Sequence, residues 1–188
     1  MEGPDTRFSC RCGALTGTMA GLTPQTGTRL VCHCEDCARA LRHYGIDADT
    51  QTGVDLVQTT PDRIHIETGA ENLGLARLSP KGLSRWYATC CGTPIFNTLS
   101  TPGLPFSTIL TDRLEGTEAI GPALARVNKP PSMGKPASER IGKIVVSMLS
   151  RAAKARLSGR WRDTPFFDAT TGQPVAEPEL LPRDAGRL

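Results

Sequence analysis

The 188-residue sequence contains no long hydrophobic run, and its best apolar stretch, residues 144–149, is interrupted by Ser147. A membrane-spanning helix needs about 20 predominantly apolar residues, so the sequence predicts no membrane span. Residues 1–7 also lack the basic and apolar regions of a secretory signal. We therefore expect a cytoplasmic protein whose thiols stay reduced.

Aromatic residues are scarce, at 5% of the chain, and the hydrophobic content of 38% is lean for a large core. Glycine (19) and proline (15) are abundant, which favours short strands and many turns over long helices. The sequence shows no Gly-rich phosphate loop, no Ser-His-Asp grouping and no nucleotide-binding fingerprint. These absences leave the cysteines as the main carriers of chemistry.

No cysteine lies outside three short clusters. Their spacings are C-x-C, C-x-C-x-x-C and C-C, formed by Cys10 and Cys12, by Cys32, Cys34 and Cys37, and by Cys90 and Cys91. Zinc takes four such ligands in a tetrahedron, and closely spaced thiolates can converge on one ion. Disulfides fit poorly, because neighbouring cysteines rarely reach bridging geometry and an odd count leaves one thiol unpaired. The sequence therefore predicts two Zn²⁺ ions per chain, whose binding would offset the thin core.

Short strands are predicted between residues 7 and 110. Apolar and polar residues alternate over residues 53–57 and 63–67, for example, with a turn at residues 60–62 between them. One short helix is predicted at residues 35–42. The pattern favours a mainly β fold of short antiparallel strands with zinc knuckles at their ends.

Charge divides the chain into two regions. Residues 1–120 contain ten Lys/Arg and thirteen Asp/Glu, whereas residues 121–188 contain twelve and six. We predict a zinc-binding β domain at 1–120. Residues 121–188 would form a proline-rich linker at 122–136, an amphipathic basic helix and a tail that packs on the domain. In the tail, Trp161 and Pro165-Phe166-Phe167-Asp168 are expected to form an aromatic clasp that packs back on the domain.

The amphipathic helix is predicted over residues 138–159, with Ser138 as its N-cap and Gly159 at its end. Its apolar stripe is expected to pack on the β domain, and consists of Ile141, Ile144, Val145, Met148, Leu149 and Ala152. Cations of the helix and its end are expected to face solvent, where they could meet an acidic partner or nucleic acid: Arg140, Lys143, Arg151, Lys154, Arg156, Arg160 and Arg162.

Three motifs in combination resemble a known family. They are Ser9-Cys10-Arg11-Cys12-Gly13-Ala14, Cys32-His33-Cys34-Glu35-Asp36-Cys37 and Cys91-Gly92-Thr93-Pro94-Ile95-Phe96-Asn97. Over residues 7–112 the chain resembles the glutathione-dependent formaldehyde-activating enzymes, a family that includes centromere protein V. The resemblance implies a Mss4-like β-tent fold and two zinc sites. For some members it also implies carbon–sulfur lyase chemistry on a glutathione–formaldehyde adduct, with glutathione as the thiol co-substrate.

The resemblance also implies a division of the cysteines between two sites. Cys10, Cys12 and Cys91 match ligands of the family's closed structural site. The candidate catalytic residues match a three-cysteine site that can keep its fourth position open, and they are Cys32, Cys34 and Cys37.

The chain departs from the family in the last cluster, where Ala88 stands in place of a cysteine. We expect Cys90 to complete the structural site from the neighbouring position, although adjacent side chains point apart. Alternatively Cys90 belongs to the second site or to neither. His33 lies between two ligands, so its side chain should point away from the metal and towards the surface.

Whether the chain is an enzyme remains open at this point. A three-thiolate zinc with a free position suits catalysis, whereas a fourth ligand from a histidine or Cys90 would make the site structural. The alternative function is a non-catalytic, zinc-stapled binding module that docks an acidic partner or nucleic acid through the basic helix.

Overall fold

The chain is mainly β, as the alternating sequence predicts. The computed structural model describes residues 3–135 and 137–182, which contain eleven strands and two α-helices. The strands are Thr6–Ser9 (β1), Thr16–Met19 (β2), Thr28–Cys32 (β3), Val54–Thr59 (β4), Ile64–Thr68 (β5), Leu73–Arg77 (β6), Ser84–Ala88 (β7), Thr93–Thr98 (β8), Ser107–Leu110 (β9), Ala125–Val127 (β10) and Pro178–Leu180 (β11). The helices are Glu35–His43 (α1) and Ile141–Leu157 (α2). The predicted mainly β class with a C-terminal helix is confirmed.

The strands form two sheets. The smaller sheet has the order β1-β2-β5 and is antiparallel throughout. The larger sheet has the order β10-β3-β4-β9-β8-β7-β6-β11. Its inner pairs are antiparallel, as expected, but β10 pairs with β3 and β11 pairs with β6 in parallel. Both edge strands come from the region after residue 120, so this region completes the sheet as well as packing on it.

The scarce aromatic residues are concentrated in the core between the two sheets. Phe8 of β1 packs edge-on against Phe96 of β8, with ring centroids 5.0 Å apart. Phe166 follows α2 and contacts both Phe96 and Trp86 of β7, at centroid distances of 5.2 and 5.1 Å. Of the expected aromatic clasp, Phe166 and Phe167 are buried in this core, whereas Trp161 contacts Arg156 and Arg162.

Helix α2 packs on the larger sheet through a face that includes only part of the predicted apolar stripe. Its buried residues are Ile144, Arg151, Ala152 and Ala155. The side chains of Ile141, Val145 and Leu149 are 48%, 38% and 47% exposed. The prediction that these three residues are buried was wrong. The stripe through Ile144 and Arg151 lies against the sheet instead, because the sheet offers buried polar groups to Arg151.

Arg151 was expected to face solvent, and this prediction was also wrong. Its Nη1 donates to the hydroxyl of Ser147 at 2.6 Å, and its Nη2 donates to the hydroxyl of Thr28 at 3.0 Å. Nη2 also donates to the side-chain oxygen of Gln58, which is itself buried. Burial, together with the positive charge of Arg63, lowers the pKa of Arg151 to about 10.

The proline-rich segment 122–136 is partly a strand rather than a linker. Val127 of β10 pairs with Cys32 of β3, and its carbonyl accepts a hydrogen bond from the backbone N–H of His33 at 2.9 Å. This pairing brings Asn128 beside the second cysteine cluster. Within the described residues, no helix is both long and apolar enough to cross a membrane.

Candidate metal centres

The first cysteine cluster lies in the turn that follows β1. The backbone N–H of Gly13 donates to the carbonyl of Cys10 at 3.0 Å, and the N–H of Cys10 donates to the carbonyl of Leu15 at 2.9 Å. The N–H of Leu15 in turn donates to the sulfur of Cys10 at 3.3 Å. Gly13 has φ +77°, which glycine adopts without steric cost. The turn thereby presents Cys10 and Cys12 on the same side.

The last cysteine cluster lies in the turn between β7 and β8. The backbone N–H groups of Cys91 and Gly92 both donate to the carbonyl of Ala88, at 3.4 and 2.8 Å. Ala88, which stands where the resembled family has a cysteine, is fully buried in the core. Arg11 joins the two turns, because its Nη2 donates to the carbonyl of Cys91 at 2.8 Å.

The two turns together assemble a four-sulfur site from Cys10, Cys12, Cys90 and Cys91, whose sulfurs all lie within 4.8 Å of one another. The sulfur of Cys90 is 3.8 Å from that of Cys10, 3.4 Å from that of Cys12 and 3.9 Å from that of Cys91. A tetrahedron with zinc–sulfur bonds of about 2.3 Å has edges of about 3.8 Å. The adjacent residues Cys90 and Cys91 thus converge, contrary to the concern raised by their spacing, because they lie in a tight turn.

The four thiols of this site differ in acidity, with Cys91 favoured as a thiolate and Cys90 favoured as a protonated thiol. Burial opposes ionisation of Cys91, but the hydroxyl of Thr93 lies 2.9 Å from its sulfur and the net effect lowers the pKa of Cys91 to about 6. Burial and the neighbouring Cys12 raise the pKa of Cys90 to about 12. The opposite shifts show that neighbouring thiols share protons, so that one thiol ionises while the next stays protonated. A bound metal ion would displace these protons.

The second cluster lies where β3 leads into α1. Cys32 is the last residue of β3, Cys34 is at the N-cap position of α1, and Cys37 is in its first turn. The N–H of Cys37 donates to the carbonyl of Cys34 at 3.1 Å, which holds the turn closed. The three sulfurs lie within 4.8 Å of one another, and those of Cys32 and Cys34 are 3.4 Å apart.

The electrostatics of the second cluster favour a thiolate at Cys32. Hydrogen bonding from Cys34, then from Cys37, lowers the pKa of Cys32 to about 2 despite its burial. The same interaction with Cys32 raises the pKa values of Cys34 and Cys37. Asn128 contributes as well, since its Nδ2 lies 3.7 Å from the sulfur of Cys32. Asn128 has φ +55°, in the left-handed region that asparagine tolerates better than most residues.

Among the described residues, the second cluster has three sulfurs and no fourth ligand. Within residues 3–135 and 137–182, no other His, Cys, Asp or Glu brings a ligand atom into the group formed by Cys32, Cys34 and Cys37. His33 points away, as expected, but it is buried rather than at the surface. Its Nδ1 lies 2.9 Å from the carbonyl of Thr50, and its Nε2 accepts from Arg126 at 3.3 Å.

A cavity of about 270 Å³ lies against the three sulfurs. Its wall is mostly apolar and comes from the larger sheet, from residues 78–83 and from α2; it includes Leu56, Leu83, Phe106, Val127, Ile144 and Met148. The polar side chains of Arg85 and Asn97 also line it. Sequence reasoning missed Arg85, although a charged residue in the short strand Ser84–Ala88, beside buried Trp86, was the one available signal.

The basic helix is a weaker site than the sequence suggested. Arg151 is buried, and Arg160 forms an ion pair with Asp62 at 3.1 Å. Arg156 and Arg162 both stack on the ring of Trp161, at 4.3 and 4.6 Å from its centroid. On α2 itself, Lys143 and Lys154 remain as exposed cations of the expected set.

The fold and these sites define a class of protein. It is a mainly β chain with two separate sulfur sites, one of four sulfurs and one of three beside an apolar cavity. The chain belongs to DUF6151, a family of unknown function, whose sequence pattern matches residues 5–179.

Among solved structures, the chain is similar to a Rhodobacter sphaeroides protein from a structural genomics programme. The two are 19% identical, the match covers 69% of this chain and 95% of that one, and the TM-score is 0.44. No curated protein matches the chain. The matched family has no assigned function, so the carbon–sulfur chemistry expected from the resemblance to formaldehyde-activating enzymes stays a proposal.

Proposed function

We propose that the protein binds two zinc ions and that the second of them receives a small thiol as its fourth ligand. The first ion would be held by Cys10, Cys12, Cys90 and Cys91, and four thiolates make such a site structural. The observation that carries the proposal is the combination at the second cluster: three sulfurs, no fourth ligand among the described residues, and a cavity against them. Catalytic zinc sites share this feature of an open position.

Zinc bound by Cys32, Cys34 and Cys37 would lower the pKa of an incoming thiol and fix the position of its sulfur. Residues of the chain would stabilise the thiolates that hold the metal. The first turn of α1 places Cys34 and Cys37 where the helix dipole favours negative charge. Asn128 holds Cys32 from the other side. The mostly apolar wall of the cavity would lower the polarity around the reacting sulfur, which strengthens charge interactions there.

We further propose, on the resemblance to formaldehyde-activating enzymes, that the reaction is reversible addition of this thiol to a small aldehyde. The sulfur of the thiol forms a bond with the carbonyl carbon, and the thiol proton ends on the carbonyl oxygen. Cleavage of the adduct is the reverse, a carbon–sulfur lyase reaction. Glutathione is the thiol that the resemblance implies, and formaldehyde is the aldehyde.

Cobalt substitution tests the open site directly. Cobalt(II) in a thiolate site has visible bands that change when a further thiolate binds. We expect glutathione or a smaller thiol to change the spectrum of the cobalt protein. The Cys34→Ser variant removes a ligand of the second site, so its spectrum should not respond to the thiol. A wild-type spectrum that does not respond to any thiol would overturn the proposal and favour a purely structural second site.

The non-catalytic binding module remains the alternative function, with an acidic partner or nucleic acid as its ligand. No contact of the described residues favours it over the thiol site, because several of the expected cations are buried, paired or stacked. Binding to nucleic acid that falls steeply with salt concentration would support it.

A further inference from the structure

Arg85 is a buried cation on the wall of the cavity beside the second cysteine cluster. Arg85 is only 7% exposed and lines the same cavity as Cys32 and Cys37. Its Nη1 donates to the side-chain oxygen of Asn97 at 3.2 Å, whereas its Nε is buried without a hydrogen-bond partner. Asn97 is held in turn, because its Nδ2 donates to the hydroxyl of Thr108 at 3.0 Å. Asn97 therefore fixes the position of the guanidinium, but at least one of its N–H groups has no hydrogen-bond acceptor.

No carboxylate neutralises Arg85 in the part of the chain that the structure describes. No Asp or Glu oxygen there lies within 4.0 Å of its nitrogens. Asp36 also lines the cavity, but its side chain is 67% exposed and pairs with Arg39 at 3.7 Å. Charged side chains are rarely buried without a partner, because desolvation costs far more than one neutral hydrogen bond returns.

The thiolates of the second cluster explain part of this arrangement. Arg85 lines the same cavity as Cys32, Cys34 and Cys37, so its positive charge lies near their thiolates. Three thiolates around a divalent ion carry one net negative charge, which Arg85 would balance at a distance. Balancing the charge of the thiolates does not give the guanidinium of Arg85 any hydrogen-bond acceptor. Its planar N–H groups match a carboxylate best.

We propose that the ligand of the cavity is a small thiol that also carries a carboxylate, with its sulfur at the Cys32, Cys34 and Cys37 site and its carboxylate on Arg85. This inference rests on the proposed thiol site and adds the chemical class of the ligand and the residue that selects it. The wall of the cavity is otherwise mostly apolar, with Leu56 and Ile144 among its residues, and suits an aliphatic spacer. Arg85 is then a specificity-determining residue, held in place by Asn97.

Two thiols of equal length test this assignment on the cobalt-substituted protein. 3-Mercaptopropionate carries the carboxylate, and 3-mercaptopropan-1-ol carries a neutral hydroxyl in its place. We expect the wild-type protein to bind the acid on the order of tenfold to a hundredfold more tightly, as a charge-assisted hydrogen bond predicts. Arg85→Met should abolish this preference, because methionine keeps much of the side-chain volume but not the charge. Lys81→Met is the matched control, since it removes an exposed cation beside the residues that line the cavity.

The outcomes separate the two proposals. If neither thiol changes the cobalt spectrum, the open thiol site itself is wrong. If both bind the wild-type protein with equal affinity, the thiol site stands and the role of Arg85 is overturned. If Arg85→Met weakens both thiols equally and leaves the preference intact, Arg85 only balances the charge of the thiolates and the assignment is also overturned. If Arg85→Met fails to fold, equal affinities of the two thiols for the wild-type protein would still overturn the assignment.

Discussion

The sulfur of Cys12 lies 3.4 Å from the sulfur of Cys90, although the two residues are 78 positions apart in the sequence. The first lies in the turn after β1 of the smaller sheet, and the second lies in the turn between β7 and β8 of the larger one. A metal ion between them would therefore connect the two sheets at a point where the described chain has no disulfide.

We predict that the protein purified without added metal contains two zinc ions per chain. Elemental analysis measures this number directly. Removal of zinc with a chelator should lower the melting temperature, because the free energy of metal binding contributes to folding. A metal-free preparation with an unchanged melting temperature would contradict the assignment of both centres.

Loss of a ligand from the four-sulfur site should destabilise the protein more than loss of a ligand from the three-sulfur site. We expect Cys12→Ala to lower the free energy of unfolding by about 3 kcal/mol or more, since that site closes a long loop between the sheets. Cys37→Ala is the comparison, because its site joins only β3 to the start of α1. Denaturant melts of the two variants measure the difference, and equal or reversed losses would show that the sites are wrongly ranked.

The buried hydrogen bonds of Arg151 predict a clear loss of stability on its removal. Arg151→Ala should cost about 2 kcal/mol, because the side-chain oxygen of buried Gln58 loses its donor and a cavity remains. Lys154→Ala, on the exposed side of α2, is the matched control and should be within about 0.5 kcal/mol of wild type. Similar melting curves for both variants would mean that the Arg151 contacts do not stabilise the native state.

The packing of α2 predicts different effects for the same substitution at two neighbouring residues. Ile144→Asp should destabilise the protein by about 3 kcal/mol or more, because Ile144 is 6% exposed and the new charge would have no partner. Val145→Asp should cost less than about 1 kcal/mol, because Val145 is 38% exposed. Chemical denaturation compares the two. A severe effect of Val145→Asp would mean that α2 packs through the face that the sequence predicted.

Local patterns were sufficient to predict most strands of residues 1–120. Alternation over residues 53–57 and 63–67 corresponds to β4 and β5, and the shared face of Cys37 and Ala38 corresponds to α1. The strand Thr93–Thr98 was missed because it contains a proline and follows directly on the last cysteine cluster. Residues 125–127 and 178–180 were also missed, because such short edge strands depend on the neighbour that they pair with.

The metal sites were also predicted in part from the sequence and in part not. Cysteine spacing alone indicated metal binding, because ligands on one turn of backbone converge whatever the rest of the fold does. It also grouped Cys32, Cys34 and Cys37, which the structure brings together. The grouping of Cys90 with Cys10 and Cys12, by contrast, depends on how two turns from different sheets meet, and spacing left it open.

The sequence by itself determined the mainly β class, the three cysteine clusters and the existence of a C-terminal helix, because each depends on residues close together in the chain. Only the tertiary structure decided which face of α2 is buried, since the sheet offers Gln58 and Thr28 to Arg151 and leaves Val145 in solvent. It likewise decided that Arg85 lies beside the second cluster. A buried cation is specified by the groups that surround it, and those groups come from distant parts of the chain.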